Sequence, residues 1–150
     1  MKLIDSNGVI EMNNESNLTR LFQKYDDIQL VYLFGSTTRN KENRLSDIDI
    51  AIQVKDSMSK KDRFQLQLQL ISELSSILAT DKLDLIIMNE ASISLNFEII
   101  KANHPIFIRD RSQKIEFEHK ILSKYLDRRY YDKRYAVEFM DKISKKGLSF

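Results

Sequence analysis

LVYLFGSTTRNKENRLSDIDIAI, residues Leu30 to Ile52, is the stretch on which the reading of this chain turns. Its two apolar ends, Leu30 to Phe34 and Ile48 to Ile52, read as short buried strands. The first run stops at Gly35-Ser36, and ten residues later Asp47 and Asp49 interrupt the start of the second. Alternation along a strand puts both carboxylates on one face, with backbones about 7 Å apart. Acids at solvent-facing strand ends would not explain why two of them break an apolar run, because desolvating unpaired carboxylates is costly. A positive charge is expected beside them.

Working outward, residues 2–12 suit a hairpin around Asn7-Gly8, whose residues tolerate the positive φ of a tight turn. Asn14 or Ser16 offers an N-cap for a helix to about Tyr25, with Leu18, Leu21, Phe22 and Tyr25 on one face. Beyond the second strand, Ser57 or Ser59 caps a helix over about Lys60–Thr80. Its FQLQLQL segment alternates like a strand, but Leu70, Leu74, Ile77 and Leu78 keep helical spacing. A strand over Leu83–Met88 carries a further acid, Asp84. A helix from Asn89 or Ser92 to about Ala102 follows, broken by Asn103-His104-Pro105, and then a short strand, Ile106–Ile108. From Ser112 the chain reads as helix to about Asp127, with Ile115, Leu122 and Leu126 as one stripe. A further helical piece runs to about Lys145, with a bend expected at Arg128–Arg134. The order of elements predicts a small α/β (α+β) domain: a mixed sheet flanked by helices, with a C-terminal helical tail.

Composition narrows the class. The 150 residues suffice for one domain with a core, and 42% hydrophobic against 31% charged residues is ordinary for a globular chain. Without cysteine there is no disulfide framework and no thiolate ligand or nucleophile. No apolar run is long enough to span a bilayer, and the mixed N-terminus does not read as a signal peptide, so the cytoplasm is the expected location. Residues 109–150 hold 12 Lys+Arg against 7 Asp+Glu, net +5, whereas residues 1–108 hold 12 against 15, net −3. A basic tail on a mildly acidic body is therefore predicted. Its Tyr125, Tyr130, Tyr131 and Tyr135 among arginines fit a protein interface better than a nucleic-acid surface, and nothing in the sequence supports DNA as a partner. His104 and His119 lie far apart, which argues against a histidine metal site, and Phe97 and the methionines read as core filling.

The chemistry concentrates on six residues. Gly35 lets the backbone approach a phosphate, and Ser36 adds a hydroxyl donor. Arg39 is spaced to grip the same phosphates with a bidentate fork. Asp47 and Asp49, with Asp84 on a strand able to lie beside theirs, suit metal ions about 4 Å apart that bridge phosphate oxygens in an in-line displacement.

Gly-Ser, ten residues, Asp-Ile-Asp is the spacing of the nucleotidyltransferase superfamily that includes polymerase β, and this chain resembles its minimal members. Among those it is most similar to the MntA-type antitoxins paired with HEPN-domain (HepT) toxins, over residues 16–110, with the tail over 111–146 completing a single domain. The resemblance implies that Gly35, Ser36 and Arg39 hold the triphosphate of ATP, and that Asp47, Asp49 and Asp84 bind two Mg²⁺ ions. It also implies that Asp84 activates the acceptor hydroxyl. The function so implied is transfer of AMP to a tyrosine of a cognate HEPN ribonuclease toxin, in a hetero-oligomer with it. A binding antitoxin without catalysis is the second reading. An antibiotic nucleotidyltransferase is the third, disfavoured because only about 40 residues follow the core. One departure stands out: where the family often has Ala-Arg-Gly, this chain has Thr38-Arg39-Asn40, which bears on the loop and not on the acids.

Overall fold

The computed structural model of the chain describes residues 12–35 and 48–146. The hairpin expected over residues 2–12 falls outside them, apart from Met12, which opens the first helix.

Four strands form one mixed sheet in the order β3-β2-β1-β4: β1 (Ile28–Phe34), β2 (Ile48–Val54), β3 (Leu83–Ile87) and β4 (Pro105–Ile108). The central strand β1 pairs antiparallel with β2 and β4, while β2 and β3 run parallel. This explains the unbroken apolar run of β1: a strand with neighbours on both edges and helices on both faces has no solvent side. Pro105 stands at the first residue of an edge strand, where its missing N–H leaves no ladder bond unmade.

Side chains alternate between two cores. On one face Val31, Leu33, Ile48, Ile50, Ile52, Val54, Leu85 and Ile87 pack against α1 (Met12–Gln23) and α2 (Lys60–Leu78). On the other, Leu30, Tyr32 and Ala51 pack against α3 (Ile93–Ala102) and α4 (Arg111–Lys146). The helical reading of FQLQLQL holds, since Leu66, Leu70, Leu74 and Leu78 are buried at four-residue spacing while Phe64 and Leu68 are exposed. Ser59 is the N-cap of α2, accepting from the Asp62 N–H, and Ser92 caps α3 in the same way through Leu95.

Several joints are tied by side chains. Asn89 extends the ladder beyond β3, accepting from the Val54 N–H at 2.9 Å and donating to the Val54 carbonyl at 2.8 Å. Arg109 donates to the carbonyls of Phe22, Tyr25 and Ile28 at 3.1, 2.9 and 2.8 Å, answering the open C-terminal end of α1 with a cation.

The structure departs from the sequence reading in four places. The first helix begins at Met12, so Asn14 and Ser16 lie inside it and not at its N-cap position. The bend expected at Arg128–Arg134 is absent: α4 is one helix of 36 residues, and no Gly or Pro interrupts it. The stripe of Ile115, Leu122 and Leu126 exists but faces solvent; Phe117, Ile121 and Tyr125 face the body instead. Met140, expected in the core, is exposed along with them, whereas Met88 is buried. Among the described residues no helix is long and apolar enough to cross a membrane.

Candidate active site

The site forms where β1 ends and where β2 and β3 begin. Register pairs Phe34 of β1 with Asp49 of β2, and Asp49 with Asp84 of β3. The three residues thus form a row across the sheet, with Asp49 in the middle and neighbouring strands about 4.8 Å apart. The row lies on the α3/α4 face, because Asp49 alternates with the inward-pointing Ile48 and Ile50 of the opposite core. Asp49 is half-buried and Asp84 exposed, so the row opens from the protein body toward solvent.

Gly35 follows Phe34 with φ +72°, a left-handed conformation that L side chains rarely adopt. A Cβ built there would stand 2.8 Å from Asp49 Oδ2 and 3.6 Å from Asp49 Cγ. The glycine is therefore required twice, once by the turn and once by the carboxylate lying against its Cα. The sequence pointed to Gly35 as a place for close phosphate approach; that its hydrogen also makes room for Asp49 emerges only in three dimensions.

Of the six residues singled out, Gly35, Asp49 and Asp84 come together. Ser36, Arg39 and Asp47 lie outside the described residues. Among the described residues no group of three or more acids or histidines gathers in metal-binding fashion. The donors that are described fit a hard divalent cation, since Asp49 and Asp84 supply carboxylate oxygens from adjacent strands at one end of the sheet.

A further contact stands behind the row. Tyr32, two residues before Phe34 on the same face and fully buried, donates its hydroxyl to Glu118 Oε1 of α4 at 2.9 Å. Lys114 Nζ lies 2.7 Å from the same oxygen. Burial, followed by the hydrogen bond to Glu118 and its charge, pushes the Tyr32 hydroxyl far above its ordinary pKa, so it stays a donor. This tie anchors α4 to the strand that ends at the site. It was missed in the sequence, although a tyrosine inside an apolar run signals a buried hydroxyl in need of a partner.

Comparison with known proteins bears on the family and the fold. The family model described as "Polymerase beta, Nucleotidyltransferase" matches residues 16–112. The chain is 29% identical over 113 residues to the protein adenylyltransferase MntA of Shewanella oneidensis, covering 75% of this chain and 77% of that protein. Two solved structures share the fold. One is a toxin–antitoxin with AMP-PNP, at TM-score 0.60 and 25% identity, covering 85% of this chain and 98% of the matched chain. The other is a tri-AMPylated Shewanella oneidensis HEPN toxin in complex with MNT antitoxin, at TM-score 0.57 and 22% identity, covering 85% and 97%. The resemblance first seen in Gly35-Ser36 and Asp47-Ile48-Asp49 is borne out over the core of the chain, and with it the nucleotidyltransferase fold. The chain belongs to the polymerase beta nucleotidyltransferase family.

Proposed function

We propose that this protein is a Mg²⁺-dependent protein adenylyltransferase that neutralises a HEPN-family ribonuclease toxin by moving AMP from ATP to a tyrosine hydroxyl of the toxin. The observation that carries the reading is the meeting of the Asp49 carboxylate with Gly35 Cα, with Asp84 beside it in register. It is supported by the likeness to MntA.

In this reading Gly35, Ser36 and Arg39 grip the triphosphate, the glycine by close backbone approach and the other two by hydrogen bonds. Asp47, Asp49 and Asp84 hold the metal, which when bound neutralises phosphate charge and aligns the α-phosphorus for in-line attack. Asp84, the most exposed acid of the described row, takes the proton from the incoming tyrosine hydroxyl. The tyrosine oxygen then bonds to the α-phosphorus while the bond to the bridging oxygen breaks, and pyrophosphate leaves. Positioning and electrostatics carry most of the rate. The unit that acts is the single domain, core 16–110 with tail 111–146, and the cytoplasm is the compartment that goes with ATP and an RNA-cleaving partner.

The test is incubation of the protein with labelled ATP, Mg²⁺ and the HEPN toxin encoded beside it. Label is expected on a toxin tyrosine with wild type and not with Asp49→Asn. Equal labelling by both, or none by wild type, overturns the catalytic reading.

A further inference from the structure

The helix α4 is longer than the body needs. Its first turns pack on the sheet through Phe117 and Ile121, and Tyr125 stacks on Phe97 of α3 at 3.8 Å between ring centroids, 2° from parallel. Past Tyr125, every residue to Lys145 is exposed except the half-buried Ile143. At a rise of about 1.5 Å per residue, the stretch from Leu126 to Lys146 extends about 30 Å.

Its outward side is not polar. Ile115, Leu122, Leu126, Tyr130, Val137 and Met140 recur at spacings of three, four and seven residues, which lines them up along one face. Each is 40–64% exposed. The stripe runs about 38 Å, the length of a docked helix, and surface apolar area this continuous marks an interaction site. From this face we propose that α4 docks an apolar helix with acidic flanks on the HEPN toxin, an inference that rests on the reading above and names its binding surface.

Charge decides between that partner and a second copy of this chain. Arg129 and Lys133 lie within the stripe, and neither has an ion-pair partner among the described residues, whereas Arg134 pairs with Glu138 and Lys145 with Asp141. The stripe from Ile115 to Met140 is centred between Asp127 and Arg128. Antiparallel self-pairing about that centre would set Arg129 of one copy against Leu126 of the other and Lys133 against Leu122, burying unpaired cations among apolar side chains. A buried charge without a counter-ion is costly. A partner with acidic flanks pairs these cations and buries the same apolar side chains.

The experiment measures binding of the full-length protein to the purified HEPN toxin encoded beside it. Variants are Leu126→Gln, Val137→Gln and the pair Arg129→Glu with Lys133→Glu, each checked for helicity by circular dichroism. The glutamine variants are expected to raise Kd at least tenfold, mainly through faster dissociation. The charge pair is expected to slow association and flatten its salt dependence. In AMP transfer the glutamine variants are expected to raise KM for the toxin and leave kcat unchanged. Wild-type affinity in all variants overturns the proposal. So does a wild-type homodimer in sedimentation that Leu126→Gln dissociates without changing toxin binding, or loss of binding to a duplex RNA probe with toxin binding intact. If the variants lose toxin binding while wild type transfers no AMP, the docking surface stands and the catalytic reading falls.

Discussion

Gly35→Ala is the most informative single change, because two separate features of the fold forbid the methyl group. The first is backbone. At φ +72° an alanine costs about 1–2 kcal/mol relative to glycine, since its Cβ crowds the following carbonyl. The second is contact: the new Cβ would lie 2.8 Å from Asp49 Oδ2, so either the carboxylate swings away or β1 and β2 separate. The strands are held by register pairs from Ile28 to Phe34 and cannot give way cheaply, so Asp49 is expected to move. A displacement of about 1 Å in a positioning group costs on the order of a hundredfold in rate. Thermal melting should then show a loss of about 1–2 kcal/mol, and AMP transfer should fall by about two orders of magnitude. The second loss far exceeds what the small stability loss explains. A useful control is Ala79→Gly, at a helix C-cap with φ 51°, where removing a Cβ should stabilise by about 0.5–1 kcal/mol and leave transfer unchanged. If Gly35→Ala melts lower but transfers AMP within twofold of wild type, the contact between Gly35 and Asp49 has no part in the chemistry.

Further expectations concern the acids, the joint at Arg109 and the behaviour at high pH. Asp84→Asn keeps size and register but removes a basic oxygen, so kcat should fall at least a hundredfold with the melting temperature nearly unchanged, as read by transfer kinetics and calorimetry. Arg109→Met keeps the length that covers Phe107 but abandons three backbone carbonyls, and denaturant melts should show a loss of about 2–4 kcal/mol. Partial burial, then the hydrogen bond to Glu73 and its charge, push the Tyr25 hydroxyl up to about 12. The folded state thus keeps this proton where the unfolded chain, at its ordinary value near 10, releases it. That contribution is fully present below pH 10 and fades as pH rises through about 12, so ultraviolet titration of tyrosinate should show a transition near pH 12 that Tyr25→Phe removes.

Much of the architecture was readable before any coordinates. Ser59 and Ser92 stood where caps belong, Pro105 marked the break after a helix, and the alternation of Ile48, Ile50 and Ile52 around Asp49 announced a two-faced strand. These are local signals, set by backbone sterics and by burial within a few residues. The tail helix was read less well. Ile115, Leu122 and Leu126 keep helical spacing, and so do Phe117, Ile121 and Tyr125. Periodicity identifies an apolar face but does not choose between two of them. That choice fell to docking, where Tyr32 and Glu118, 86 residues apart, join across the core.

What the sequence determined by itself was the chemistry on offer: a glycine turn after one buried strand, acids at the start of the next, and a third acid further on. Those follow from residue type and spacing, which survive whatever the chain does later. Tertiary structure alone decided which of these groups meet. Strand pairing set Asp84 beside Asp49 and brought the Asp49 carboxylate against Gly35 Cα, because sheet register is a long-range outcome of packing both faces at once. Packing also left one apolar side of α4 turned to solvent, since the sheet offers that helix a single face to cover.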